Sequence, residues 1–244
     1  MMNFEEEHKM TKMENLVKAM NVLNEAEYNK RREMLLLIDT ETIGCLSFPR
    51  FYDLGLAVAD RQGNIYFRLS LVNSTIFYGH KDEMKSCYYA EKLPQYYVEL
   101  ANGERLLLDV WQIKELIEAI KAKFGISKIC AYNCGFDRRA CNNTLKEFFG
   151  DVTYWDIMLM AKDTIYNMAS YKKFCEENGL MCSGKWSDRP KWSAECMYRF
   201  ITKDPTFKEA HTGLRDVEIE TAIMAECFRK HMKMRKELGS KKAA

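Results

Sequence analysis

The chain has 244 residues, of which 47% are hydrophobic and 12% aromatic, and it contains only 12 Gly and 4 Pro. This composition excludes a fibrous, collagen-like or globally disordered protein and is typical of one large globular domain. The net charge is +2, and seven of the 37 basic residues lie between positions 228 and 244, where there is one Glu. A basic end on a near-neutral body fits both a protein that binds nucleic acid and a merely solubilising tail.

No uninterrupted apolar run, including the one at 34–38, exceeds five residues, far fewer than the ~20 residues that cross a bilayer, so we expect no membrane span. The amino terminus carries Glu residues where a secretory signal would carry basic ones. The nine cysteines are odd in number and form no Cys-x-x-Cys pair, which argues against a zinc ribbon and a complete disulfide framework. The sequence therefore predicts a cytoplasmic protein whose cysteines are reduced packing residues.

An amphipathic helix is predicted ahead of the main domain, because apolar residues recur at three- and four-residue spacing between positions 10 and 23. The apolar stripe of such a helix needs a partner, which is its own domain, a second copy of the chain or a polymerase. We expect three regions: a helical extension (1–33), a main α/β domain (34–236) and a basic tail (237–244).

Within the main domain, short apolar runs and polar turns predict a three-stranded meander, followed by alternating helices and strands and then by helices. The predicted strands are 34–38, 54–59, 64–71, 128–132 and 152–155. The predicted helices are 109–124, 138–149, 157–177, 193–202 and 213–236. The aromatic-rich segment 72–104 is less regular, with a helix expected around 80–90. This order indicates a mixed sheet with helices on its faces, and function is expected at the ends of its central strands.

The first predicted strand runs into Asp39-Thr40-Glu41. Because strand side chains alternate between faces, the two acids project to the same side. Neighbouring carboxylates at the end of an apolar strand repel each other unless a cation or hydrogen-bond donors neutralise them. Asp39 and Glu41 are therefore candidate metal ligands. The alternative interpretation is a turn that carries two solvated acids.

A second acidic cluster, Asn133-Cys-Gly-Phe136-Asp137, follows the strand predicted at 128–132. Asp137 therefore emerges at a strand end, where it can join the first two acids. Its alternative role is that of a helix cap, which Asp fills well.

The third cluster places His211 five residues before Asp216. On a regular helix, that separation rotates two positions by about 140°, so they cannot face one site. Gly213 between them allows a break that leaves His211 in a loop and Asp216 in the first helical turn. The helix dipole also favours an acid in that turn, which is the structural alternative for Asp216.

Together the three clusters resemble, in residue types, order and predicted context, the three exonuclease motifs of the DnaQ-like, or DEDDh, 3′–5′ exonucleases of the ribonuclease H-like superfamily. The resemblance covers about residues 34–230 and implies an α/β fold with a mixed five-stranded sheet flanked by helices. It also implies that four carboxylates coordinate two divalent cations: Asp39, Glu41, Asp137 and Asp216. His211 would be the general base, and Asn133 with Phe136 would support the second motif.

Oxygen ligands of this kind favour Mg²⁺ or Mn²⁺, and two such cations about 3.5–4 Å apart suit phosphodiester hydrolysis. Three residues after Asp39 are expected to line a pocket for the terminal nucleotide: Thr40, Thr42 and Ile43. A core position is the alternative for Ile43. Lys185 and Trp186 are expected to hold single-stranded substrate by phosphate attraction and stacking, with loop anchoring as the alternative. For Trp192, packing is the preferred interpretation.

The sequence thus predicts a metal-dependent 3′–5′ exonuclease that acts on nucleic acid with a free 3′ end, preferably single-stranded DNA, and releases nucleoside 5′-monophosphates in replication or repair. Two alternatives remain, a catalytically silent nucleic-acid-binding or polymerase-associated subunit and an RNA-trimming ribonuclease. All five catalytic positions carry the expected residue types, which favours an active enzyme. No sequence feature reads the sugar 2′-hydroxyl that distinguishes RNA from DNA.

Overall fold

A mixed six-stranded sheet forms the centre of the protein in a computed structural model, which describes the backbone of residues 4–242 and the side chains of residues 11–232. The strands are β1 (Met34–Ile43), β2 (Arg50–Asp60), β3 (Ile65–Asn73), β4 (Leu106–Leu108), β5 (Lys128–Ala131) and β6 (Thr153–Asp156). Their order is β4-β3-β2-β1-β5-β6. Strand β2 is antiparallel to its neighbours β1 and β3, and the other three pairings, β3–β4, β1–β5 and β5–β6, are parallel. The predicted α/β class with a mixed sheet is confirmed.

The helices flank this sheet. They are α1 (Phe4–Glu25), α2 (Ser74–Phe77), α3 (Lys81–Lys85), α4 (Leu93–Ala101), α5 (Val110–Phe124), α6 (Cys134–Thr144), α7 (Ile157–Ala161), α8 (Ala169–Glu177), α9 (Ala194–Thr202) and α10 (Gly213–Lys242). Within the described residues, no helix is both long and apolar enough to cross a bilayer.

The central strand β1 is buried on both faces, as its apolar run predicts. Leu36 and Ile38 belong to the core that α1, α5 and α6 cover, whereas Leu35 and Leu37 belong to the core under α7 to α10. This alternation fixes which way each later residue of the strand points. The strand continues beyond the predicted end at residue 38, and the added residues carry Asp39 and Glu41.

Several boundaries differ from the predictions. The sheet has six strands where five were expected, because the Leu106–Leu108 run that forms β4 is too short to be recognised without its partner β3. Helix α6 begins at Cys134 and ends at Thr144, not at 138 and 149, since Asn133 adopts a left-handed conformation and Leu145 is extended. The helix predicted at 157–177 is divided into α7, a π-helical turn and α8.

The amino-terminal helix α1 packs on its own domain. Leu16, Ala19 and Leu23 are buried in the core shared with α5 and β4. Asn15 and Lys18 donate hydrogen bonds of 3.2 and 3.0 Å to the carbonyls of Leu107 and Gly103. Leu16 and Leu23 of the apolar stripe are therefore buried within the chain, whereas Met13 and Val17 are more than half exposed. The structure gives no support to a polymerase or a second copy as the partner of this helix.

The structure tests the prediction about the cysteines but not those about the domain boundaries and the basic carboxy-terminal tail. None of the nine cysteines forms a disulfide, and six of them are buried as packing residues, as predicted, whereas Cys45 is exposed and Cys87 and Cys182 are partly buried. The boundaries at 33/34 and 236/237 stay predictions. The basic tail predicted at 237–244 lies outside the residues whose side chains are described, and residues 243–244 lie outside the described backbone.

Candidate metal centre

Asp39 and Glu41 lie side by side at the end of β1, where they line one cavity. In the pairing with β2, Asp39 is opposite Gly55 and Glu41 is opposite Asp53. The two acids share a face because one residue separates them on the strand, as the sequence predicts.

Helix α10 brings a third carboxylate, that of Asp216, against this strand. The approach depends on Gly55 of β2 and Gly213, the first residue of α10, which touch through their backbones. An ideal Cβ on Gly55 would lie 1.9 Å from the carbonyl carbon of Gly213, and one on Gly213 would lie 2.4 Å from the nitrogen of Gly55. The ligand atoms of Asp39, Glu41 and Asp216 all lie within 4.8 Å of one another, close enough to bind one metal ion.

The predicted break between His211 and Asp216 is present. His211 lies in a loop with a positive φ of 50°, and Asp216 is in the first turn of α10. The backbone N–H of His211 lies close to the Asp216 carboxylate and acts to lower its pKa, against the effect of burial. Both side chains line the cavity that holds Asp39 and Glu41. The loop thus turns two positions that a regular helix would separate toward one site.

Asp137 reaches the same cavity from α6, and it does not act as a helix cap. Its Oδ1 accepts hydrogen bonds from the backbone N–H and the hydroxyl of Thr40, at 3.1 and 2.8 Å. Thr40 was predicted to contact substrate; in the structure its hydroxyl orients Asp137, and the residue also lines the cavity. These donors tie α6 directly to the end of β1.

The carboxylates are strained electrostatically in the protein alone. Burial, followed by the charges of Asp53 and Asp216, raises the pKa of Glu41 to about 9. Burial raises the pKa of Asp216 to about 8, and that of Asp137 to about 7 against the opposing hydrogen bonds from Thr40. Burial and the neighbouring carboxylates also raise the pKa of Asp39. A cation would neutralise this charge, and the all-oxygen donor set fits a hard divalent ion.

A fifth buried carboxylate, that of Glu220, lines the same cavity and was missed in the sequence analysis. It follows Asp216 by four residues, so both lie on one face of α10. That spacing was the available signal, but acids are common on helices and the spacing alone does not distinguish a buried one. Glu220 is 3% exposed.

Glu209 is a second acid that the motifs did not indicate. One of its carboxylate oxygens lies 3.9 Å from Nδ1 of His211, and together with Asp216 the two residues form a second group of potential ligands within 4.8 Å. Burial, followed by the charge of Glu195, raises the pKa of Glu209 to about 7. Asp216 therefore belongs to both groups of ligands.

The segment 72–104, which the sequence left without a role, holds the His211 loop. The Tyr89 ring stacks on the His211 imidazole with centroids 4.8 Å apart and an interplanar angle of 14°. The Lys92 ammonium donates a 3.0 Å hydrogen bond to the His211 carbonyl and also contacts the carbonyl of Ala210. Burial, followed by the Lys92 charge, lowers the pKa of His211. The imidazole is thus held in place and favoured in its neutral form.

A buried ion pair anchors the start of α10. Asp53 is 0% exposed, and its Oδ1 lies 2.6 Å from the Arg105 guanidinium. Its Oδ2 accepts a 2.6 Å hydrogen bond from the Tyr96 hydroxyl and a 3.0 Å bond from the backbone N–H of Gly213. This network joins β2 and α4 to the loop that carries His211, and no sequence pattern indicated it.

The cavity that holds the acids has a volume of about 580 Å³ and is also lined by several aromatic rings. Asn133 and Phe136, the residues predicted to bind substrate and support the second motif, line this cavity, and so do Lys191 and Trp192. An adjoining cavity of about 830 Å³ shares Thr40, Glu41, Tyr89 and Phe136 and extends along Thr42.

Three residues predicted to contact substrate lie elsewhere. Ile43 is fully buried in the core beside α2, α3 and α4, so the alternative interpretation as a core residue is correct. Lys185 and Trp186 lie in a short 3₁₀ turn and line neither of the two cavities. The Arg189 guanidinium lies 4.0 Å from the Trp186 ring centroid, and the indole is 41% exposed.

No protein-family profile and no curated protein matches this sequence. Similar solved structures include a product-bound exonuclease I, with 14% identity over 86% of this chain and 46% of that chain and a TM-score of 0.47. Exonuclease I of E. coli in complex with a dT13 oligonucleotide has 14% identity over 85% of this chain and 43% of that chain, with a TM-score of 0.47. Exonuclease I from Methylocaldum szegediense has 17% identity over 81% of this chain and 41% of that chain, with a TM-score of 0.44.

This chain therefore spans less than half the length of each of these structures. The similarity to these exonuclease I structures is at low sequence identity. The likeness is one of fold, and the function proposed below depends on the side chains of this chain.

Proposed function

We propose that this protein is a metal-dependent 3′–5′ exonuclease that hydrolyses single-stranded nucleic acid, with DNA preferred. The observation that supports it most strongly is the convergence on one cavity of the four acids of the three motifs and the His211 imidazole. Buried carboxylates without compensating charge suit divalent cations, and a neutral imidazole beside them adds a proton acceptor. This combination supplies what phosphodiester hydrolysis needs.

Asp39, Glu41 and Asp216 are the ligands proposed for one cation, since their oxygens lie within 4.8 Å of one another. Asp39 and Asp137 are proposed for the other, with Thr40 fixing the Asp137 carboxylate. Two Mg²⁺ or Mn²⁺ ions held by these residues would supply activation of the attacking water and stabilisation of charge on the phosphate and on the leaving 3′-oxygen.

His211 is proposed to accept the proton of the attacking water. Its lowered pKa keeps the imidazole neutral near pH 7, which is the form that a general base requires. Stacking on Tyr89 fixes the plane of the ring, and Lys92 fixes the backbone that carries it. Since the ring is also partly exposed, the proton can then pass to solvent.

Single-stranded substrate is supported by the rings that line the cavity. Tyr89, Phe136 and Trp192 offer π faces for bases, and Lys191 offers a positive charge for phosphate. We assign the adjoining cavity along Thr42 to the terminal nucleotide, because it meets the carboxylates at Glu41. The preference for DNA follows the family resemblance of the motifs.

The test is hydrolysis of 5′-labelled single-stranded DNA and RNA of one sequence by the wild type, Asp39→Asn and the control Glu218→Gln, with Mg²⁺, with Mn²⁺ or with EDTA. Glu218 is on α10 and pairs with Arg68 and Arg215, outside the cavity. We expect metal-dependent hydrolysis by the wild type and the control, faster on DNA, and none by folded Asp39→Asn. Hydrolysis in EDTA, or at the wild-type rate in Asp39→Asn, would contradict the proposal, and faster hydrolysis of RNA would contradict the DNA preference.

A further inference from the structure

Glu220 occupies an unusual position for a glutamate. It lies one helical turn after Asp216 on the face of α10 that is turned toward the sheet, and it is 3% exposed. It lines the cavity with Asp39, Asp137 and Asp216. A glutamate is rarely buried to this extent unless it is paired or coordinates a metal.

The Glu220 carboxylate has an acceptor atom without a partner. Among the side chains of residues 11–232, only two carboxylate oxygens are both buried and without a hydrogen bond, Oε2 of Glu220 and Oδ1 of Asp216. By contrast, the equally buried Asp53 is satisfied by Arg105, Tyr96 and the Gly213 N–H. The fold therefore supplies partners to both carboxylate oxygens of Asp53 but leaves Oε2 of Glu220 without one.

Glu220 lies on the β5 side of β1. The backbone N–H of Tyr132, directly after β5, lies close to its carboxylate. Asp137 also comes from this side, because α6 follows β5 in the chain. Glu41 and Asp216 offer ligand atoms that lie within 4.8 Å of one another and of those of Asp39, and neither Asp137 nor Glu220 belongs to that group. The cavity therefore holds two further acids, Asp137 and Glu220, beside the group around Asp39.

We propose that Glu220 is a ligand of the second divalent cation, together with Asp39 and Asp137. This inference rests on the proposed two-cation site and adds a ligand beyond the four acids of the motifs. Since Mg²⁺ is usually held by one or two carboxylates together with substrate phosphates, a third carboxylate would take the place of the phosphate in holding the ion. The protein consequently binds both cations before nucleic acid arrives.

The test is a Mn²⁺ titration of the full chain without nucleic acid, with free Mn²⁺ measured by electron paramagnetic resonance. The wild type should bind two Mn²⁺ per chain, and so should the control Glu218→Gln, which alters an acid two residues away outside the cavity. Glu220→Gln should keep one ion and lose the other by more than about 100-fold in affinity, beyond the 10- to 100-fold expected for an outer-shell partner. Glu220→Asp keeps the charge but shortens the side chain, and it should also weaken the second ion.

Melting curves in EDTA show whether each variant is folded before titration. If Glu220→Gln is not folded, the Mn²⁺ titration of Glu220→Asp tests the inference in its place. The inference would be overturned if the Glu220 variants bind Mn²⁺ with wild-type affinity or lose only the 10- to 100-fold in affinity expected for an outer-shell partner. A wild type that binds a single Mn²⁺ would also overturn it. DNA hydrolysis measured in parallel separates it from the proposed function. A wild type that binds two Mn²⁺ but cleaves nothing would contradict only the function, and an active enzyme with two ions in both Glu220 variants would contradict only the role of Glu220.

Discussion

Replacing Glu41 by Gln should stabilise the protein when no divalent cation is bound. Burial and neighbouring charges raise the pKa of this carboxyl from 4.5 to about 9. The folded protein therefore binds a proton that the unfolded chain releases, and this group makes the free energy of unfolding fall as the pH rises from about 4.5 to about 9.

The size of the effect follows from the same values. At pH 7.5, three pH units above the unfolded pKa, keeping Glu41 in its site costs up to about 4 kcal/mol, whereas at pH 5 the cost is about 1 kcal/mol. Glu41→Gln should remove this cost. In a domain of this size, about 4 kcal/mol corresponds to a rise of roughly 8–16 °C in Tm.

This prediction is tested by measuring the Tm of the wild type, Glu41→Gln and the control Glu218→Gln by thermal denaturation in EDTA at pH 7.5 and at pH 5. The gain in Tm should be large at pH 7.5 and small at pH 5. Adding Mg²⁺ at pH 7.5 should raise the Tm of the wild type and have much less effect on Glu41→Gln. A variant that melts at or below the wild type in EDTA, or gains equally at both pH values, would refute the reasoning.

Three further predictions concern the parts that position the site. His211→Ala should lower single-turnover rates by about 10²–10⁴ with little change in substrate binding, and a normal rate with weakened binding would make His211 a binding residue. Because Lys92 lowers the pKa of His211, Lys92→Met should move the acidic limb of the pH–rate profile to higher pH, and an unmoved limb would contradict this coupling. Gly55→Ala places a Cβ 1.9 Å from the Gly213 backbone, so it should destabilise the protein by at least about 1–3 kcal/mol and abolish hydrolysis. Gly135→Ala, whose Cβ would meet nothing within 4 Å, is the control for stability. Equal melting of the two glycine variants would show that the contact is not needed.

Local patterns predicted the parts of the structure that depend on local physics. The apolar run at 34–38 predicted a strand buried on both faces, and alternation placed Asp39 and Glu41 together. Gly213 predicted the break that turns His211 and Asp216 to one site. In each case, neighbouring residues determine the geometry.

The missed features depend on contacts between distant parts of the chain. Strand β4 has only three residues and becomes a strand by pairing with β3. Lys92 and His211 are 119 positions apart, and Asp53 and Gly213 are 160 apart. Glu220 is on an ordinary charged helix until its burial is known. No single-sequence pattern indicates such partners, so the site's carboxylates could be predicted but the groups that hold them could not.

The most direct test of the central claim compares two substrates of one sequence, a linear single-stranded DNA labelled at its 5′ end and the same strand closed into a circle, each with wild-type protein and Mg²⁺. If the carboxylates and His211 act at a free 3′ end, the labelled strand should shorten one nucleotide at a time with release of nucleoside 5′-monophosphates, and the circle should stay intact. Cleavage of the circle, or immediate release of the label as a mononucleotide, would contradict a 3′–5′ exonuclease.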